Sequence, residues 1–376
     1  CRRVLAGGAD SLCRLTYYGF KSLQLIDEEG ARPLCADRRG MSVAEGAGLL
    51  LLDDAPPGPD EVALLGGGLS CDAYHAAKPH PEGEGAAAAM AAALADAGLG
   101  FDEIDYVNLH GTGTPDNDRA EVRALKRIAK GELPPLSSIK GAVGHSLAAA
   151  GAMEAVLAAL TVARQQLPPN TGCAVPDPEL GVDLQAPKQG AVIERVLSNS
   201  FGFGGNNAAL VIGRDRQGDR GAASEPAPDD TPWFITGYGA LSGKGGTRAT
   251  LTALMEGRAV GGCAAPAEVD AGLDPALIRR IKRLPRMAMS LTQASGCGPA
   301  DRPPAAIYFG TGWGALSETH DFLDRLFKTD ERFPSPMDFI GSVHNAASGQ
   351  VAQWTGARGA NLTTTCPWGA FEQALL

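Results

Sequence analysis

Short apolar runs, each closed by glycine or a polar residue, recur along the first 213 residues, at 4–12, 49–52, 62–69, 104–109, 196–200 and 208–213. Runs of this length predict strands. The run Leu49-Leu50-Leu51-Leu52 predicts a fully buried strand, entered from Met41 to Gly48 as part of a strand pair, and the Gly7-Gly8 step predicts a turn. Between the runs lie helical patterns. One covers about 13–25. Another covers 85–97, rich in alanine and stopped by Gly98. A third covers 119–130, amphipathic and capped by Asn117 or Asp118, and a fourth covers 147–163, capped by Ser146. Strands alternating with helices of this length predict an α/β layer fold.

The stretch 137–151, Ser-Ser-Ile-Lys-Gly-Ala-Val-Gly-His-Ser-Leu-Ala-Ala-Ala-Gly, reads as a strand, a turn bracketed by Gly141 and Gly144, and a helix start. His145 then stands at a helix mouth, where unpaired amides and the positive dipole end face the same space. The run 104–109 delivers His110 to a strand end in the same way, and 196–200 enters the glycine loop Phe201-Gly-Phe203-Gly-Gly-Asn-Asn207. In open α/β sheets ligands collect at strand C-terminal ends, and all three segments hold that position. One histidine alone is as easily an ordinary loop residue. Two of them, with Lys140 and the glycine loop, point to a site. The loop fails as a dinucleotide fingerprint, because a strand follows it and no ribose-binding acid is correctly placed.

Periodicity is lost over 214–230, which is charged and rich in Pro, Ala and Gly, so the pattern divides into 1–213, a linker at 214–230, and a second unit at 231–376. The second unit opens on a strand-like Phe234-Ile-Thr-Gly-Tyr-Gly239. It has a further strand at 305–309, a polar loop Ser342-Val-His-Asn345, and a helical pattern at 369–376.

Composition narrows the reading. The chain has 376 residues, 44% of them hydrophobic, enough for more than one core. Its net charge of −10 gives no electrostatic footprint for nucleic acid. The eight cysteines lack metal-ligand spacing, so reduced thiols of a cytoplasmic protein are expected and no metal site is. The longest apolar run, 147–163, carries Glu154 and reads as a core helix, not a membrane span. The missing initiator methionine and the helical pattern still running at Leu376 suggest a fragment.

Three motifs in order, Asn108-Leu-His110-Gly-Thr112-Gly-Thr114, Lys140 to Gly151, and Asn199-Ser-Phe-Gly-Phe203-Gly-Gly-Asn206, resemble the β-ketoacyl-acyl carrier protein synthases, of thiolase fold. Cys71-Asp-Ala-Tyr-His75 and Arg32 to Gly48 resemble that family too, so the similarity runs over about 3–214. The two-histidine pattern resembles the elongating branch. The resemblance implies a thiolase-like layered α-β-α-β-α fold, present as incomplete halves, and a decarboxylative Claisen condensation of an acyl thioester with malonyl-acyl carrier protein.

By the same resemblance His110 and His145 stabilise the enolate oxygen, and Lys140 fixes a histidine and the local field, with Glu154 as its partner. Thr112 and Thr114 bind pantetheine, and Phe203 is the acyl gate, its N–H part of the oxyanion hole. The family's cysteine nucleophile lies upstream of the similar segment. No cofactor is implied beyond the carrier's phosphopantetheine. The implied partners are acyl- and malonyl-carrier protein and a dimer or pseudo-dimer of thiolase-like units.

The second unit resembles the N-terminal half of a chain-length-factor-like synthase, through Ser342-Val-His-Asn-Ala-Ala-Ser-Gly349 and Gly359-Ala-Asn-Leu-Thr-Thr-Thr-Cys366-Pro-Trp-Gly369. Cys366 is its candidate nucleophile, since the helical pattern after it could lower a thiol pKa. Against this stand Pro367 and a gap-free alignment that puts the nucleophile slot at Trp368. The favoured expectation is a partner unit without a nucleophile. A non-catalytic carrier-protein docking scaffold is the alternative for the whole. A thiolase acting on coenzyme A esters ranks lower, because Asn199 to Asn207 stands where a Cys-Xaa-Gly pattern would be needed.

Overall fold

The structure is a computed structural model that describes residues 3–53, 62–184, 192–214, 235–299, 303–366 and 370–375. It divides into two compact units, Cys1–Asp72 with Lys78–Ser224, and Ala73–Ala77 with Glu225–Leu376. Residues 215–230 of the expected linker lie outside the described residues.

The first unit begins with β1 (Arg3–Asp10), α1 (Arg14–Ser22) and β2 (Gly46–Asp53), with β1 and β2 paired antiparallel. A five-stranded sheet follows in the order β3-β7-β6-β4-β5, from β3 (Val62–Cys71), β4 (Tyr106–Asn108), β5 (Leu136–Ser137), β6 (Arg195–Gly202) and β7 (Asn206–Arg214). Helices α2 (Glu84–Ala97) and α3 (Pro115–Ile128) cover one face, over a core that includes Met90, Val107, Leu109, Leu125 and Leu197. On the other face α5 (Ala150–Arg164) packs Ala155, Ala158 and Val162 against Tyr106, Val196 and Ile212. The opposite side of α5 meets β1 and β2, so helix, sheet, helix and strand pair form successive layers.

The register places the site. β4 runs parallel to both β5 and β6, so 109–111, 138–140 and 201–205 leave three adjacent strands at one sheet edge. Between β5 and α5 the chain makes one helical turn, α4 (Lys140–Val143), and a 3-10 turn at Leu147–Ala149.

Several local expectations are corrected. Gly7 and Gly8 lie inside β1, because a Cβ on Gly8 would sit 2.3 Å from the Ala148 carbonyl oxygen, so close does this strand run to the segment entering α5. β2 is alternating and not fully buried. Leu49 and Leu51 are 62% and 59% exposed, since only one side of the β1–β2 pair is covered by α5, and β2 finds its partner in β1 instead of a strand within 33–54. Thr114 is the N-cap position of α3, with Pro115 first in the helix, so Asn117 and Asp118 fall inside the first turn. Ser146 makes no capping bond; its hydroxyl meets Met153 Sδ at 3.3 Å. Among the described residues one helix, Leu147–Arg164, is long and apolar enough to cross a membrane.

In the second unit β8 (Ile307–Thr311) pairs in parallel with β9 (Asn361–Thr365). Its helices are α6 (Thr247–Met255), α7 (Pro266–Val269), α8 (Pro275–Ile278), α9 (Arg283–Ala294), α10 (Leu316–Lys328), α11 (Pro336–Ser342), α12 (Ala346–Thr355) and α13 (Ala370–Leu375). α9 and α12 share a core of Met289, Ala288, Ala347 and Val351 with Leu273 and Ile278. Residues 235–239 form no strand, and Ile235 is exposed; Phe234 is outside the described residues.

α2 lies so close to β3 that a Cβ on Gly68 would fall 2.1 Å from the Ala89 carbonyl oxygen. Backbone cannot yield as a side-chain tip can. Gly68→Ala should therefore lower stability by about 1–3 kcal/mol, read as a lower urea midpoint at unchanged slope.

Candidate active site

His110 sits two residues past the end of β4, and a buried carboxylate holds its turn. The backbone N–H groups of His110 and Gly111 donate to Glu121 Oε1 and Oε2, each at 2.9 Å, and Asn199 Nδ2 donates to Oε1 at 3.1 Å. Gly113, at φ +80°, passes so near residue 40 that a Cβ would lie 2.7 Å from the Gly40 carbonyl oxygen. Asp118, also on α3, accepts from the N–H groups of Leu34 at 2.8 Å and Gly113 at 3.2 Å. Burial pushes Glu121 up to about 7, although the donors around it pull the other way. Sequence reasoning missed Glu121. The signal was present: positions 118 and 121 share a helix face with Val122 and Leu125, and two acids on an apolar face need donors.

The second turn is tied to the first. Ser138 Oγ donates to the Gly111 carbonyl at 2.7 Å and accepts from Lys140 N–H at 3.2 Å. Lys140 is 1% exposed; its ammonium pairs with Glu154 of α5 and lies 3.4 Å from His110 Nδ1. His145 is fixed by its backbone, which donates to Ser42 O at 2.7 Å and accepts from Ala44 N–H at 3.0 Å. Gly144 permits this approach at φ +72°, where a Cβ would stand 2.6 Å from Ala44 Cβ.

These contacts set protonation. Burial first, then the Lys140 charge, holds both histidines well below the ordinary value, and for His110 the neighbouring His145 adds to it. Both rings are therefore neutral near pH 7. Leu147 N–H donates to His145 Nδ1 at 3.2 Å, which leaves the proton on Nε2; the Lys140 ammonium facing His110 Nδ1 selects the same tautomer. The ring centroids are 5.2 Å apart at 82°, and Phe201 lies 5.7 Å from the His110 ring. Two neutral N–H donors side by side, backed by a buried cation, suit an oxygen that gains negative charge. Burial raises the Glu154 carboxyl against the pull of Lys140, and its Oε2, like Asn108 Oδ1 and Asn199 Oδ1, has no donor among the described residues.

The other expected residues are placed as follows. Thr112 and Thr114 are buried, their hydroxyls 2.8 Å apart. Phe203 is half-buried against Phe20, centroids 5.4 Å apart, in a turn anchored by Asp72 N–H donating to Gly205 O at 2.8 Å. Cys366 belongs to the second unit, where it follows β9 and its N–H donates to Thr311 O at 3.0 Å; Pro367 and Trp368 lie outside the described residues. Among the described residues no group of three or more His, Cys, Asp or Glu is arranged to hold a metal ion.

Glu121 makes stability depend on pH with a defined sign. The folded chain keeps it protonated up to about 7 and the unfolded chain only to 4.5, so its contribution is complete below 4.5 and is lost as pH rises through 7. Glu121→Gln cannot ionise. Urea midpoints from pH 4 to 8 should show this decline removed in the variant, against a loss of about 1–3 kcal/mol at low pH from one backbone donor left unpaired.

The chain is similar to several known proteins. Residues 62–174 match the family model described as β-ketoacyl synthase, C-terminal domain. The 3-oxoacyl-[acyl-carrier-protein] synthase 2 of Vibrio cholerae is 38% identical over 229 residues, 56% of this chain and 55% of that protein. The chain thus spans about half the length of the curated relatives it matches. The ketosynthase ApeO of Xenorhabdus doucetiae, solved with its chain length factor ApeC, is 43% identical with a TM-score of 0.52, over 57% of this chain and 53% of that one. The PfaC ketosynthase–chain length factor is 18% identical but shares the fold over 97% of this chain and 47% of its own, with a TM-score of 0.75. The layered fold is thiolase-like, and residues 62–174 of the first unit are similar to the C-terminal domain of the β-ketoacyl synthases.

Proposed function

We propose that the intact protein performs a decarboxylative Claisen condensation between an acyl thioester and malonyl-acyl carrier protein, in fatty-acid or polyketide-type synthesis. The observation that carries this reading is the pair of buried histidine rings, centroids 5.2 Å apart, with the Lys140 ammonium 3.4 Å from His110 Nδ1. The C–C bond to the malonyl carboxylate breaks, carbon dioxide leaves, and the electron pair is held as an enolate. His110 and His145 donate their N–H groups to the enolate oxygen. The enolate carbon then attacks the acyl carbonyl, a cysteine thiolate departs, and a 3-oxoacyl thioester remains on the carrier. That cysteine is assigned to a part of the synthase outside the matched residues.

Burial, reinforced by the Lys140 charge, keeps both rings neutral, so that they serve as donors without becoming acids that would quench the enolate. Thr112 and Thr114 are assigned to the pantetheine arm, Phe203 to the acyl gate, and phosphopantetheine on the carrier is the only cofactor called for. Residues 231–376 are read as a partner unit of chain-length-factor type, lacking a nucleophile, in a dimer or pseudo-dimer in the cytoplasm. The fold shared with PfaC over 97% of the chain supports reading residues 231–376 as a second unit of this fold. The activity named for its relatives, 3-oxoacyl-[acyl-carrier-protein] synthase 2, supports the reaction.

The test is an assay of the intact protein with acyl- and malonyl-carrier protein. His110→Ala and His145→Ala should each lower condensation by about 10²–10³-fold, the scale of one lost oxyanion donor. Cys366→Ala should leave the rate unchanged. Histidine variants at full rate sink the proposal, and loss of activity in Cys366→Ala makes the second unit a condensing enzyme.

A further inference from the structure

After α5 the chain runs through Pro168-Pro169-Asn170-Thr171-Gly172, a stretch wedged between residues 31–33 and the turn that follows β5. Pro168 O accepts from Ser137 Oγ at 2.8 Å. Thr171 passes so near the second turn that a Cβ on Gly141 would lie 1.9 Å from its carbonyl oxygen. Gly172, at φ +86°, runs so close to residue 31 that a Cβ would fall 2.7 Å from the Ala31 carbonyl oxygen. Between them the half-buried Asn170 side chain uses both of its ends. Its Oδ1 accepts from Ser138 N–H at 2.9 Å, and its Nδ2 donates to Pro33 O at 3.0 Å. These partners fix the orientation of the amide, since the N–H requires its oxygen and the carbonyl its nitrogen.

Both bonds lead to the His110 turn. The Pro33 carbonyl and the Leu34 N–H are two ends of one peptide group, and Asp118 Oδ2 holds the N–H end at 2.8 Å. Asp118 Oδ1 accepts from Gly113 N–H at 3.2 Å. In the other direction, Ser138 Oγ donates to Gly111 O at 2.7 Å and accepts from Lys140 N–H at 3.2 Å. Asn170 therefore closes a circuit of hydrogen bonds. It runs from Ser138 to Gly111, through the turn to Gly113, on to Asp118 and the 33–34 peptide, and back.

We propose that Asn170 is a positioning residue of the two-histidine site, which holds the Lys140 segment against the His110 turn by closing this circuit. It acts through Ser138 and Pro33 and not on the rings. Asparagine suits the place because a short, planar side chain offers an acceptor and a donor together. Without it the two segments lose their common strut. The effect reaches His110 through charge. The titratable and charged groups around it are Lys140, with Glu154 of α5 as its partner, His145, and Glu121 of α3 beneath the His110 and Gly111 N–H groups. Burial first and the ammonium second keep the ring neutral. Both depend on the Lys140 segment staying in place, so loosening it raises the pH at which His110 takes up a proton.

The experiment compares the intact protein with Asn170→Ala and Asn170→Leu, the second of which fills the volume without making either bond. Urea unfolding first establishes that each variant is folded. The His110 ring is then titrated by NMR, its signals assigned by their loss in His110→Ala. At the ordinary histidine value of 6.5, His110 should be about tenfold more protonated in each variant than in the wild type. In the condensation assay kcat should fall by up to about 10²-fold, with KM for malonyl-carrier protein kept. The kinetic half rests on the proposed reaction and the titration does not. A wild-type protein that never condenses, but whose His110 titration still responds to Asn170, removes the reaction and supports the positioning role. A wild-type His110 titration in folded Asn170→Leu overturns the proposal whatever the activity, and so does a raised KM at unchanged kcat. Asn170→Leu decides even if Asn170→Ala fails to fold.

Discussion

A lysine ammonium sealed from water is the constraint on which the first unit depends. An unpaired buried charge costs several kcal/mol, so Lys140 demands Glu154, and the demand fixes the start of α5 against the turn after β5. Having paired, the ammonium still faces His110 Nδ1, and that proximity keeps an imidazole neutral in a place where burial alone already disfavours its charge. Replacing a buried pair by apolar residues of equal volume often leaves a fold as stable. Here it would leave the His110 ring without the ammonium that selects its tautomer. The ion pair is better understood as positioning chemistry than as stabilising the core.

Around that pair the backbone is gathered by buried polar side chains, two acids that accept and one hydroxyl that both donates and accepts. Glu121 takes two N–H groups of the His110 turn, Asp118 takes those of Leu34 and Gly113, and Ser138 binds one turn to the other. Irregular backbone at a sheet edge has no ladder to satisfy it, and these carboxylates substitute for one. Their burial is the cost, visible in the raised pKa values of Glu121 and Asp118, both caused first by desolvation.

The strands, the alanine-rich helices and the three motif segments were legible because they rest on local pattern: apolar runs, Gly98 as a stop, and small residues flanking His110 and His145. What was not legible depends on partners distant in sequence. Leu49 to Leu52 looks uniformly apolar, and only the presence of α5 on one side decides that Leu49 and Leu51 face outward. Gly7-Gly8 reads as a turn until Ala148 is brought against it. Glu121 and Asp118 could have been found from their places on the apolar face of α3, but the donors they serve lie elsewhere, at 34, 110, 111, 113 and 199. In the second unit the strand expected at 234–239 rested on a glycine pattern with too few apolar neighbours to hold it.

The short central strand has a kinetic consequence. β4 is three residues long and draws its two neighbours from 136–137 and 196–198, so its pairing with β6 closes a loop of about 90 residues. Loop-closure entropy must be overcome before those contacts give anything back. As the chain folds, the turn bearing His110 has its Glu121 anchor on a nearby helix early, while Asn199, which completes that anchor, arrives only with β6. The local hairpin of β6 and β7 and the α2 layer can form first. The His110 turn thus has its anchor completed only once β6 has paired with β4, across the long loop that this pairing closes.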